Sequence, residues 1–277
     1  IRKKQITEIT DKGMDGSISF RESLEQRLNL LSPTRKHLPF LIKELKGKVS
    51  DSFKRNKEFF EQHSDNIYII SNGFREFIEP IVTEFGIKTT NILANEFRFD
   101  DAGRVIGFDQ DNPLSANGGK AKLLQKLNLP GDIYVIGDGY TDYEIKQAGL
   151  ANKFFAFTEN VERETVKSKA DHITPSLDEF LYLNKLNTVI SYPKNRINVL
   201  LLENVHPVAV ELLKAEGFNV EVYHAALTED ELCEKIKNVS VLGIRSKTQV
   251  TAKVLANANR LMSIAAFCIG TNQIDLK

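Results

Sequence analysis

"DIYVIGDGYTDYEI", residues 132–145, decides how the chain is read. An apolar run of strand character stops at Gly137, and two aspartates, Asp138 and Asp142, follow it four residues apart. Gly137 and Gly139 permit a tight turn in which the backbone approaches a ligand closely. "TDYEIKQAG" then reads as a helix ending at Gly149. In open α/β sheets, ligands bind beyond the carboxyl ends of the strands. Asp138 stands at such an end, and neighbouring carboxylates are hard oxygen ligands suited to Mg2+. The plainer alternative is a strand–turn–helix in which Asp142 only favours the first helical turn.

Outward from this stretch, the same alternation continues on both sides. Residues 1–65 read as a helical cap region, in which "SISFRESLEQRLNLL" places Ile18, Leu24, Leu28 and Leu31 roughly on one face. From residue 66 the texture becomes strand, turn, helix. "NIYIISNGF" reads as a buried strand with a turn, and "REFIEPIVTEFG" as a helix closed by Gly86. "TNILANEFRFDDAGRVIGF" reads as extended segments turning at 101–103. "GGKAKLLQKLN" is a helix, "KFFAFT" a strand, and "HITPSLDEFLYL" closes the core at residue 186. Residues 187–196, "NTVISYPKNR", read as a linker. A second, smaller alternation fills residues 197–277, where Thr228 and Glu231 form a capping box before "TEDELCEKIKN". Both halves predict α/β layers with parallel strands covered by helices.

Composition bounds the function classes. The 277 residues are 42% hydrophobic and 27% charged, and 37 basic residues balance 37 acidic ones. Such a chain has no basic field to hold nucleic acid. No apolar run approaches membrane-span length. The two cysteines, Cys233 and Cys268, lack metal spacing and read as buried thiols of a reducing compartment, so a cytoplasmic location is expected.

Two further positions join the aspartates. Ser71 follows the strand "IYII", and its hydroxyl with the amides of Asn72 and Gly73 suits a phosphate oxygen, although a serine opening a helix is the commoner case. Lys120 begins a helix, where a cation opposes the helix dipole unless an anion is held there. The alternative is a solvated surface lysine.

The ordered set Ser71, Lys120 and Gly-Asp-Gly-x-x-Asp, with Asp138 and Asp142, resembles the later motifs of the haloacid dehalogenase-like phosphohydrolases. Within that superfamily, residues 1–185 look most like phosphoserine phosphatases. "GMDGSISFRESLEQRL" carries that family's cap pattern on Met14, Gly16, Phe20, Leu24 and Arg27. The resemblance implies a haloacid dehalogenase-like Rossmannoid core with a helical cap, and attack of an aspartate on phosphoserine to give a phosphoaspartyl enzyme. It implies Mg2+ at Asp138 and Asp142, phosphoryl oxygens held by Ser71 and Lys120, the substrate carboxylate paired with Arg27, and a cap wall shaped by Met14 and Phe20. Asn72 stands where the family usually has glycine, and Thr141 where many members have asparagine. The family's Asp-x-Asp-Gly-Thr/Ser is not in the sequence. The nucleophile strand is therefore expected upstream of Ile1.

"VLGIRSKTQVTAKVLANANRLMSIAAFCIGTNQIDL" is similar to the substrate domain of D-3-phosphoglycerate dehydrogenases, over residues 197–277. That likeness implies a flavodoxin-like parallel domain, incomplete here. It also implies an anion site on Arg245, Ser246 and Lys247 with Asn272 nearby, and NAD bound by a part of the enzyme not in this sequence. A βα turn that happens to be basic is the alternative. Both resemblances point to serine biosynthesis, with phosphoserine and 3-phosphoglycerate as ligands and a homo-oligomer possible. The chain reads as an inactive inner piece of a bifunctional enzyme. The competing reading is a catalytically silent phosphoserine-binding or regulatory module attached to a dehydrogenase.

Overall fold

Short runs rich in Ile, Val, Leu and Phe form the strands, and the runs between them form the covering helices, as their periods require. The structure is a computed structural model and describes residues 2–14 and 17–276. It divides into two compact units, with the division between Val189 and Ile190.

In the first unit, β1 (Ile69–Phe74) pairs in parallel with β2 (Ile92–Asn95). A register shift between Ile70 and Phe74 interrupts that ladder. β3 (Phe97–Phe99) and β4 (Val105–Phe108) form an antiparallel hairpin that turns at Gly103, whose φ of 75° favours glycine. β5 (Tyr134–Gly137), β6 (Lys153–Phe157) and β7 (His172–Thr174) make a three-stranded parallel sheet in that order. Among the described residues, β1 and β5 pair on one side only, with β2 and β6 respectively.

One hydrophobic cluster serves both parallel sheets. Ile69 of β1, Ile92 of β2, Ile136 of β5 and Phe155 of β6 pack together with Leu177, Phe180 and Leu181 of the helix Leu177–Leu183. β6 is covered on both faces, with Phe154, Phe155 and Ala156 all buried, as a parallel strand between neighbours should be. β5, also parallel, is only half-buried along most of its length, and Tyr134 at its start is exposed. A buried aspartate locks this core to the preceding helices. Asp178 accepts from Arg55, and from Asn56 Nδ2 at 2.7 Å.

The second unit is a four-stranded parallel sheet of β8 (Asn198–Leu201), β9 (Asn219–Val222), β10 (Val241–Ile244) and β11 (Ser263–Ala266). Its spatial order, β11-β10-β8-β9, is the expected flavodoxin-like one. Leu200, Leu202, Leu232, Leu242 and Ile244 form its core. Thr228 and Glu231 make the capping box that opens the helix Glu229–Lys235.

Three expectations are corrected. Leu31 is 48% exposed, because Ser32 ends the helix Phe20–Leu31 in the left-handed region just beyond it, and only Leu24 and Leu28 of the expected face reach the core cluster. Cys233 is buried but Cys268 is only half-buried, its thiol donating to the Gly270 carbonyl at 3.1 Å. Ser71 lies within β1, in its irregular register, rather than at the strand's end. Gly16 and the side chain of Met14 fall outside the described residues. Among the described residues, no helix is long and apolar enough to cross a membrane.

Candidate active site

The turn after β5 is built around Asp142. Gly139 N-caps the helix Tyr140–Gln147, and Asp142, in its first turn, reaches back so that its Oδ2 accepts from the Gly139 amide at 3.1 Å. Its other oxygen accepts from Lys120 Nζ at 2.7 Å. Both side chains of this pair are largely buried, with relative exposures of 12% and 13%. Lys120 is thus not a solvated surface lysine. A charge taken out of water this far needs a partner, and Asp142 is it. Both glycines flanking the site are sterically dictated. A Cβ on Gly137 would lie 2.3 Å from the Asp142 carboxylate carbon, and one on Gly119 would lie 2.0 Å from the Pro113 carbonyl oxygen.

Asp138 is exposed and turned the other way, toward Arg163, whose guanidinium donates to both its carboxylate and, at 2.9 Å, its main-chain carbonyl. On β1, the Ser71 hydroxyl oxygen accepts the Gly73 amide at 3.0 Å, which leaves its own proton free to donate. Asn72 points its amide into the fold, where Nδ2 donates to the Leu114 carbonyl at 2.8 Å. Asn95 Nδ2 donates to the Asn72 carbonyl at 2.9 Å. Asn72 thereby fastens β1 to the loop that leads to Lys120. Gly73 has no room for a side chain without displacing Ile78. Thr141 is exposed at the start of its helix.

The helix Phe20–Leu31 leans on this region. Its first amide, Phe20 N, donates to Asn117 Oδ1 at 3.1 Å, and Arg21 donates to the Gln110 carbonyl at 2.8 Å and to Ser115 Oγ at 3.1 Å. Phe20, Leu24 and Leu28 pack against Phe74 and Phe108. Arg27 lies on the same helix, half-buried, donating to the Ser23 carbonyl at 3.2 Å. Burial pushes its guanidinium pKa below the ordinary value.

A Mg2+ ion would find one available carboxylate here. Asp138 is exposed and hard, but it must exchange Arg163 for the metal. Asp142, expected as a second ligand, has both oxygens committed to Gly139 and Lys120. No group of three or more His, Cys, Asp or Glu residues able to hold a metal occurs among the described residues. The residues present fit Mg2+ at Asp138 alone.

In the second unit, Arg245, Ser246 and Lys247 follow β10 at its carboxyl end, all three exposed, while Thr248 is buried. Asn272 is exposed on the loop after β11. The amides of the basic turn do not face outward. Glu203, beyond the carboxyl end of β8, accepts from Arg245 N at 3.1 Å, Lys247 N at 2.8 Å and Thr248 N at 2.8 Å. The expected anion site therefore has two cations, while the amides of its turn are taken up by Glu203. Neither Glu203 nor Arg163 was singled out from the sequence. The rule that picked out Asp138, an acid just past a strand's carboxyl end, applies equally to Glu203 after "NVLLL". Arg163 has no comparable local signal, since it reaches Asp138 from 25 residues away.

This combination of parallel sheets with a strand-end aspartate, a buried Lys–Asp pair and a helical cap defines a haloacid dehalogenase-like hydrolase, and that family matches residues 34–145. Within it, the chain belongs to the phosphoserine phosphatase family. A phosphoserine phosphohydrolase-like protein from Francisella tularensis is 32% identical, with a TM-score of 0.55, over 66% of this chain and 85% of that one. The chloroplastic phosphoserine phosphatase of Arabidopsis thaliana is 34% identical over 172 residues, 61% of this chain and 58% of that protein. Residues 199–277 match the catalytic domain of the D-isomer specific 2-hydroxyacid dehydrogenases. The D-3-phosphoglycerate dehydrogenase of Dictyostelium discoideum is 50% identical over 91 residues, 33% of this chain and 22% of that protein. The chain thus spans little more than half of the first relative and under a quarter of the second.

Proposed function

We propose that the first unit binds phosphoserine as part of a Mg2+-dependent phosphoserine phosphatase, and that the second contributes part of the 3-phosphoglycerate site of an NAD-dependent D-3-phosphoglycerate dehydrogenase. Both activities belong to serine biosynthesis. The observation that carries the first assignment is the buried Lys120, held by Asp142 beside Asp138 at the carboxyl end of β5. A lysine fixed in this way is preorganised for phosphoryl oxygens and needs no reorganisation when charge shifts onto them. Ser71 offers its hydroxyl proton to the same group. Arg27 pairs with the amino-acid carboxylate, and Phe20 helps close the apolar wall. Asp142 serves as the tether of Lys120. Mg2+, when bound at Asp138, neutralises charge on the phosphoryl group.

The acceptor carboxylate for phosphoryl transfer is not among these residues. Asp138 and Asp142 are occupied by Arg163 and Lys120, and neither follows the family's Asp-x-Asp-Gly pattern. The chain of 277 residues by itself is therefore expected to bind phosphoserine without hydrolysing it. Calorimetric titration with phosphoserine, beside a phosphate-release assay with Mg2+, tests this. The expected result is saturable binding that Lys120→Ala weakens, with no phosphate above the buffer control. Binding indifferent to Lys120→Ala, or release that persists in Asp138→Asn, would place the site elsewhere.

A further inference from the structure

Glu203 is an unusual residue to find where it is. It is only 7% exposed, and it sits at φ 62°, followed by Asn204 at φ 56°. Two successive non-glycine residues in the left-handed region are uncommon, and glutamate has no special tolerance for it. The surrounding structure holds the pair there. Glu203 N donates to the Ala225 carbonyl at 3.2 Å, and Asn204 N to the Tyr223 carbonyl at 3.3 Å. The Asn204 side chain meets His224 Nδ1 at 3.1 Å. The result aims one carboxylate at three amides of the turn after β10. A turn of successive inward N–H groups is a nest for an anion, and here the chain fills it with its own.

A second clamp works on the other side of the turn. Gln273 is 4% exposed, and its Nε2 donates to the Arg245 carbonyl at 3.0 Å and to the Gly270 carbonyl at 3.2 Å. Gln273 also accepts the Val250 amide on its carbonyl at 2.8 Å. One buried amide side chain thus joins the basic turn to the loop that bears Asn272.

We propose that Glu203 is the positioning residue of the phosphorylated-acid site: by filling the amide nest it fixes the turn so that the anion is held by the outward Arg245 and Lys247 side chains, with Gln273 keeping the Asn272 loop in register. This rests on the reading of the second unit as a 3-phosphoglycerate site and adds how that site selects its ligand. A nest of bare amides takes any small oxyanion. Two cations on a rigid turn, with an amide-bearing loop beside them, favour an acid with two separated negative groups. A compact ion such as inorganic phosphate spans only one of them.

The test uses the sign of the electrostatics. Glu203→Gln removes a negative charge near two cations, and on charge alone it should tighten anion binding. It also places an N–H donor against at least one of the turn's amides. The 277-residue chain is titrated with 3-phosphoglycerate and, separately, with inorganic phosphate, and the exchange of the Arg245, Lys247 and Thr248 amides is followed by NMR. The expected result for Glu203→Gln is faster exchange at these amides and loss of 3-phosphoglycerate affinity by about tenfold or more, with the preference over inorganic phosphate reduced. General destabilisation would weaken both ligands alike and leave that preference unchanged. Glu203→Asp keeps the charge but shortens the reach. It should also lose affinity if position is what matters, and it serves should the glutamine variant not fold. Equal or tighter 3-phosphoglycerate binding in Glu203→Gln, or an unchanged preference, overturns the proposal. Arg245→Ala separates the two levels. If it weakens 3-phosphoglycerate binding while the Glu203 variants do not, only the positioning role falls. If wild type and Arg245→Ala behave alike, the substrate reading falls and the proposal with it.

Discussion

A methyl group on Gly137 would overlap the Asp142 carboxylate, with 2.3 Å to both Cγ and Oδ2. Asp142 must shift to clear that methyl, and it is Asp142 that holds Lys120. Gly137→Ala is therefore expected to cost about 1–3 kcal/mol, as overpacking does, and to release Lys120. Urea unfolding and phosphoserine titration should both register it. A loss of stability with unchanged phosphoserine binding would mean that Lys120 does not depend on Asp142. Arg27 supplies the matching test on the cap. Removing a charge-assisted pair costs on the order of 1.5–3 kcal/mol, roughly tenfold to a hundredfold in affinity. Arg27→Ala should weaken phosphoserine by that factor and leave phosphoethanolamine, which lacks the carboxylate, nearly untouched. Equal losses for both ligands would remove Arg27 from the carboxylate contact.

At the scale of elements, what local spacing encodes was legible in the sequence, and what distant parts of the chain bring together was not. The Thr228–Glu231 box, the glycine after Phe85 and the parallel character of β8 to β11 follow from short-range pattern, and the structure has all three, whereas the flavodoxin-like arrangement was implied by the family resemblance. Lys120 illustrates the limit. Its place in a helix's first turn looked unfavourable locally, and the reason for it is Asp142, 22 residues later. Glu203 likewise serves a turn more than 40 residues away. The Glu203 carboxylate also makes the second unit acid-sensitive. Burial raises its pKa, but the Thr248 side chain and the amides of Lys247, Thr248 and Arg245 outweigh that and hold it below the ordinary 4.5. A folded value below the unfolded one means stability that is present above pH 4.5 and is lost as pH falls through the folded value. Thermal melts of wild type should therefore lose more on going from neutral to acid pH than melts of Glu203→Gln. Identical acid limbs would show that the carboxylate does not remain charged where it is. The helix opened by the box gives a neutral control. Thr228→Ala should cost ~1 kcal/mol at any pH above the carboxylate range.

At the scale of the first unit, the half-buried β5 and the one-sided pairing of β1 belong together. A strand with one neighbour leaves a row of N–H and C=O groups unpaired along its other edge, and among the described residues β1 pairs only with β2, and β5 only with β6. Ile69 and Ile136 nevertheless pack into one core cluster, so the two sheets share an interior without sharing a ladder. On the proposed function, one parallel strand added between β1 and β5 is expected to join them into a single sheet, β2-β1-added strand-β5-β6-β7. Its carboxyl end is then expected near Ser71, Lys120 and Asp138, where the proposed phosphoserine hydrolysis would need an attacking carboxylate. The expected outcome of joining a strand that carries Asp-x-Asp-Gly-Thr ahead of residue 1 is twofold. The melting temperature of the first unit rises, because unpaired strand edges gain partners, and phosphate release from phosphoserine appears and requires Mg2+. Replacing the first aspartate of the added strand by asparagine should abolish release while keeping the gain in melting temperature, because the strand still pairs. Stabilisation without activity in the aspartate form would mean that the strand fills the gap but the reacting carboxylate enters from elsewhere. No stabilisation at all would mean that β1 and β5 do not border a common lane.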